Sequence, residues 1–345
     1  MERKRNGYLV PLIFLLFLFC LSACAPAGTS TRADVDGKLK AVATTTFVGD
    51  VVSRVGGEHI SLTVLLPYGA NPHSFQPSPQ DVAAVSRADV IFANGVGLEV
   101  FLEDLIENAG GDAEVVHVSE GIDLRSFPSQ TDDGHEHEEA EDHEGADGHD
   151  HQEGGSQEVV GNDGHDHDPG GADPHVWFDP TNVMVWVDNI QETLTRIDPA
   201  NEDRYQENAQ TYRAQLEDLD SWIRDQVSQI PEDNRYMVTD HTVFGYFAEE
   251  YGFQQVGAVI PSPTTEAQPS GKHLAELSDT IREYAVKAIF VGKDFDPSLS
   301  QRIAEDTGVK LVQLYFGSLT EDDGPAGTYI EFMRYNVKTI VEALR

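Results

Sequence analysis

The sequence predicts an α/β protein of two lobes, each with a parallel-type sheet flanked by helices, joined by one long rigid helix. Three observations predict it. Short apolar runs alternate with helical stretches of about 10–15 residues, the pattern of βαβ units. One helical period runs unbroken over about 199–231, longer than one lobe needs. The chain has 345 residues, more than a single core usually organises.

The N-terminal stretch is a targeting segment. Arg3-Lys4-Arg5 precedes an apolar run of 12 residues, Tyr8 to Phe19, and Leu21-Ser22-Ala23-Cys24 follows. A bilayer span needs about 20 apolar residues, so residues 1–23 read as a lipoprotein signal rather than a transmembrane anchor. Cys24 then becomes the mature N-terminus, and its thiol carries the lipid that holds the protein to the outer face of a bacterial cell membrane. Residues 24–37 are small and polar and read as a flexible tether. The other cysteine, Cys20, leaves with the signal, which excludes disulfides and thiolate metal sites. The segment carries a net +2, so a chain of net −37 becomes −39 without it. Such a surface repels nucleic acid and excludes it as a partner.

The first lobe spans 38–198. LKAVATTTF, ISLTVLLP, ADVIFAN and AEVVHVS read as strands, SPQDVAAVSR and LEVFLEDLIENAG as helices. Residues 131–173 break the pattern. They hold seven histidines, many carboxylates and no lysine or arginine, and read as a disordered insertion. A helix follows from about Pro180 to Arg196. The linking helix, 199–231, places Tyr205, Ala209, Tyr212, Leu216, Leu219, Ile223 and Val227 on one face. It should be a strut of roughly 45 Å. The second lobe, 232–345, repeats the alternation. RYMVTD, AVKAIFVG and VKLVQL read as strands; TVFGYFAEEYG, GKHLAELSDTIREY, PSLSQRIAEDTG and TYIEFMRYNVKTIVEAL read as helices.

Three histidines stand at strand-to-helix turns: His73 in GANPHSFQPSP, His175 in DPHVWFDP and His241 in VTDHTVFGYF. Ligands of open parallel sheets collect beyond the carboxyl ends of the strands. Imidazole suits Zn, Cu, Ni and Fe, and three imidazoles with one oxygen make a tetrahedral zinc shell. Binding should weaken below about pH 6.5 as protons compete for the nitrogens. His59 and His273 read as solvated positions, and His117 as packing in a strand. A zinc hydrolase is the rival class, but there is no HExxH-type spacing, and Glu249 and Glu250 lie two turns or more beyond His241. A surface adhesin is a second rival, and nothing in the sequence encodes an adhesive module.

GANPHSFQPSPQD, ADVIFANGVGLE, DPHVWFDP, DPANEDRY, VTDHTVFGYFAEEYG and GTYIEFMRYN together resemble the zinc/manganese ABC-transporter solute-binding lipoproteins of the ZnuA, PsaA and TroA type. The likeness covers the mature chain apart from the insertion. It implies a monomer holding one metal between two lobes, with a membrane permease and a cytoplasmic ATPase as partners. It makes His73 and His175 first-lobe ligands and His241 a second-lobe ligand. Many members place a carboxylate in a segment like LYxDSL, where this chain reads LYFGSL with Gly317. The fourth ligand is therefore open among Asp294, Asp296, Asp322 and water. Three histidines without that carboxylate favour Zn²⁺ over Mn²⁺ as the transported ion. Within the insertion, His135, His137, His143, His149, His151, His165 and His167 would bind Zn²⁺ weakly and raise its concentration near the cleft.

Overall fold

The computed structural model describes residues 37–127 and 171–345. The targeting segment, Cys24, the tether up to residue 36 and the seven insertion histidines lie outside the described residues. Among the described residues no helix is long and apolar enough to cross a membrane.

Leu39–Arg345 contains two four-stranded parallel sheets of the same topology. In the first, β1 (Leu39–Ala43), β2 (Ile60–Val64), β3 (Val90–Ala93) and β4 (Glu114–His117) are ordered β2-β1-β3-β4. In the second, β5 (Tyr236–His241), β6 (Gln254–Ile260), β7 (Ala288–Gly292) and β8 (Lys310–Leu314) are ordered β6-β5-β7-β8. β3 and β7 are buried at every position, as central parallel strands covered on both faces must be.

Strand periodicity sorts side chains between cores. Ala41, Ala43, Val90 and Phe92 face one core, while Val42, Ile91 and Ala93 face a smaller one on the other side of the sheet. The smaller core is closed by α2 (Pro79–Val85) and α3 (Leu102–Ala109). In the second sheet Met237, Ala288 and Phe290 face the main core, and Val238, Ile289 and Val291 face a core under α7 (Gly271–Glu283) and α8 (Ser298–Thr307). The main core is shared by both halves. α1 (Thr46–Gly56), α4 (Pro180–Ile197), α5 (Glu202–Val227), α6 (Gly245–Tyr251) and α9 (Tyr329–Leu344) all contribute to it.

The linking helix is α5, 26 residues after a short 3-10 turn at Pro199–Asn201. That length is about 39 Å. All seven apolar positions expected on one face are buried. The helix is not a free strut, because it packs on α1 in the first half and α9 in the second. Tyr329 at the start of α9 ties the halves further: its hydroxyl donates to the Trp177 carbonyl at 2.8 Å, and its N–H donates to the Asp50 carboxylate at 3.1 Å.

Two elements differ from the sequence reading. The first strand stops at Ala43, and Thr45 caps α1 by accepting from the Val48 N–H at 3.2 Å. α1 begins inside the stretch expected as strand, and its Phe47, Val48, Val51, Val52 and Val55 make a helical apolar face in the main core. The second is β6, whose segment QQVGAVI begins polar and contains Gly257. A side chain there would meet Leu277 of α7 at 2.5 Å, so the glycine lets the helix lie close on the sheet.

Candidate metal centre

The three histidines at strand-to-helix turns come together. Their ligand nitrogens all lie within 4.8 Å of one another, and the trio includes no carboxylate. His73 Nε2 is 3.2 Å from His175 Nε2. The ring centroids form a near-equilateral triangle: 5.3 Å from His73 to His175, 5.6 Å from His73 to His241 and 5.3 Å from His175 to His241.

Each ring is positioned by local structure. His73 lies in a 3-10 turn, Pro72–Ser74, capped by Asn71, whose side-chain oxygen accepts the His73 N–H at 3.0 Å. Asn71 reaches the other half by donating to Thr265 Oγ1 at 2.8 Å. His175 precedes a 3-10 turn, Val176–Phe178, and its Nδ1 is 2.8 Å from Asp173 Oδ1, which also accepts the His175 N–H at 3.0 Å. His241 ends β5. Its Nδ1 is 2.6 Å from Asp240 Oδ1, and the second Asp240 oxygen accepts the Gly292 N–H at 2.7 Å. A carboxylate on Nδ1 fixes the tautomer with the proton on that nitrogen, so Nε2 keeps its lone pair for a cation.

Two of the rings are buried, His175 at 1% exposed and His241 at 4%, and His73 is half-buried. Trp177 lies 5.3 Å from the His175 ring and Phe316 6.0 Å from the His241 ring. The cavity between the rings is about 10 Å³, about the room a single water molecule needs. Burial, with the neighbouring imidazoles His175 and His241 adding to it, pushes His73 down to about 2. Burial also lowers His175, against the pull of Asp173. Both rings are therefore held in the neutral form that binds a metal. Proton competition at these two rings thus lies below the ordinary imidazole range.

Of the three carboxylates considered for a fourth position, only Asp294 lines this cavity. Asp296 is exposed and accepts from Ser298 at the start of α8, and Asp322 is exposed. Burial, followed by the Asp240 charge, raises Asp294 to about 6. Glu249 and Glu250 pair with Arg125 and Arg224 and do not line the cavity, as their spacing predicts.

Sequence reasoning missed the groups behind the rings. Asp173 was placed in the insertion, but it is buried and holds His175; the 131–173 boundary runs too far at its C-terminal end. Ala172 bridges Ser126 in antiparallel fashion, and Phe127 N–H donates to the Gly171 carbonyl at 3.2 Å, so the segment's two ends meet. Asn94, from ADVIFANGVGLE, donates to the Pro174 carbonyl at 3.1 Å and fixes the residue before His175. The DPH and DH dipeptide contexts are the signal that points to Asp173 and Asp240. His117 stands exposed at the end of β4 rather than packed. His59 and His273 are half-buried, and His273 Nε2 lies 2.9 Å from the Ala258 carbonyl.

The family model for "Zinc-uptake complex component A periplasmic" matches residues 41–343. The manganese-binding lipoprotein MntA of Halalkalibacterium halodurans is 32% identical over 96% of this chain and 97% of its own length. The manganese ABC transporter substrate-binding lipoprotein PsaA of Streptococcus pneumoniae is 28% identical over 99% of each chain. The periplasmic zinc-binding protein TroA of Treponema pallidum has the same fold, with a TM-score of 0.71 at 24% identity over 89% of this chain and 99% of that one. A Mn-bound periplasmic metal-binding protein of Candidatus Liberibacter asiaticus also has a TM-score of 0.71, at 22% identity over 89% of this chain. With two sheets of one topology and a family model spanning nearly the whole described fold, this chain belongs to the zinc-uptake component A family of metal ABC-transporter substrate-binding proteins, and it is a binding protein rather than an enzyme.

Proposed function

We propose that the protein captures one Zn²⁺ ion on His73, His175 and His241 and delivers it to the permease of an ABC importer. The observation that carries this reading is the triangle of imidazoles with a Nε2–Nε2 separation of 3.2 Å. Two nitrogens each about 2.05 Å from a tetrahedral zinc lie about 3.3 Å apart. His73 and His175 come from the first lobe (38–198) and His241 from the second (232–345). A cation binding all three therefore ties together the parts that α5 joins. Asp173 and Asp240 orient their rings and raise ligand basicity in the manner of a carboxylate–histidine–zinc arrangement.

Mn²⁺ is the second reading. The relatives named for manganese favour it, and so does Asp294, an oxygen donor beside the trio. Nitrogen-rich shells favour zinc over manganese at equal availability. Elemental analysis of the purified protein and a competition between Zn²⁺ and Mn²⁺ decide it. Zinc should displace manganese at equimolar metal; retention of manganese would reverse the choice.

The rest of the reading follows the sequence. The protein acts as a monomer, anchored outside the membrane through lipid on Cys24 after removal of residues 1–23. The mass of the mature N-terminus tests this, and an unmodified residue other than Cys24 there sinks it. His135, His137, His143, His149, His151, His165 and His167 gather Zn²⁺ weakly near the cleft. Fixing that chain around an ion costs about 1–2 kcal/mol per ordered residue, which keeps such sites loose.

A further inference from the structure

The donor atoms that line the cavity beside the three imidazoles belong to few residues. Asn71 has its side-chain oxygen on the His73 N–H and its amide on Thr265, whose hydroxyl is thereby engaged. Asp240 has one oxygen on His241 and the other on the Gly292 N–H. Asp294 also lines the cavity; its carboxylate is held by backbone N–H groups, its own and that of Gly317, with no side-chain donor among the described residues. It also lines a second, larger cleft of about 260 Å³, with Tyr68, Lys293 and Glu321. A half-buried carboxylate thus stands between the open cleft and the rings.

Two glycines make room for it. A β-carbon on Gly317 would lie 2.5 Å from Asp294 Oδ2, and one on Gly292 would lie 2.6 Å from Asp294 Oδ1. Contacts that short do not occur, so any larger residue at 292 or 317 would drive the carboxylate away. The space a side chain at 317 would fill is the space Asp294 uses.

We infer that Asp294 supplies the fourth ligand, its carboxylate turning from its rest against Gly317 onto the cation held by His73, His175 and His241. This rests on the three-histidine reading above and completes a tetrahedral set of three nitrogens and one oxygen. It also gives the site an acidic group that a cation meets on its way in from the cleft.

The test uses the purified protein titrated with Zn²⁺ against a chromophoric chelator, and with Co²⁺ as a spectroscopic probe of the ligand set. Asp294→Asn keeps the shape and removes the charge. It should lower Zn²⁺ affinity by at least the roughly 10–100-fold that loss of an outer partner costs, and it should shift the Co²⁺ visible bands. Asp294→Glu should recover part of the affinity. Wild-type affinity with an unchanged Co²⁺ spectrum in Asp294→Asn, while His73→Ala and His241→Ala lose binding, overturns this assignment alone and puts solvent in the fourth position. Full affinity in the histidine variants overturns the three-histidine reading and this assignment with it.

Discussion

Lowering the pH should weaken zinc binding much less than three ordinary histidines would allow. An imidazole with a pKa of about 6.5 costs about 0.9 decade of affinity between pH 6 and pH 5, so three cost about 2.7 decades. In this protein burial pushes His73 down to about 2, and its cost over that interval vanishes. His175 is lowered by burial too, so its cost is smaller than an ordinary imidazole's. The sign is that of a depressed base: the neutral form persists below the ordinary pKa, and protons compete only at lower pH. Whatever His241 contributes, the total stays below about 2 decades. The assay is a chelator competition at pH 6 and pH 5, in the Asp294→Asn background so that no carboxylate titration is superimposed. A loss of 2.7 decades or more would show that His73 and His175 take up protons like solvated imidazoles, and that the metal-free pocket is open to water.

Other outcomes follow from the same geometry. Asp173→Ala and Asp240→Ala should each lower zinc affinity about 10–100-fold while the ligands themselves remain; isothermal titration measures it. Gly317→Ala should also weaken binding, because its β-carbon would lie 2.7 Å from Cδ of Pro72, the residue before His73; an unaffected affinity would mean that Pro72 yields freely. Replacing residues 128–170 with an Asn-Gly turn should leave the thermal transition and one tight zinc site, since Ser126 and Ala172 already pair across the join. Loss of the tight site in that deletion would mean a loop histidine is a ligand. Tyr329→Phe should cost about 1–3 kcal/mol in denaturant unfolding by leaving the buried Trp177 carbonyl without its 2.8 Å donor.

Much of the molecule is legible along the chain because the signals are local. Seven of eight strands and eight of nine helices among the described residues announce themselves by apolar period, and the buried stripe of α5 is read residue by residue. The turns that carry His73, His175 and His241 are marked by flanking proline, aspartate and strand ends, which act over a few residues. The failures are also local: the first strand reads on through Phe47 into the start of α1, and a glycine breaks the pattern of β6. What no local signal contains is distance across the fold. His73 and His175 are 102 residues apart in sequence yet 3.2 Å apart at Nε2. Asp173 looked like part of an acidic loop until burial and a bond to His175 gave it a task. Asp294, Asp296 and Asp322 are equivalent as letters, and only packing leaves one carboxylate against Gly317 and beside the rings while the others stay in solvent. The sequence by itself determined the residue types and the turns that present them. The tertiary structure decided which of them share one small, largely buried cavity, because desolvation and ligand spacing depend on atoms brought together from both sheets.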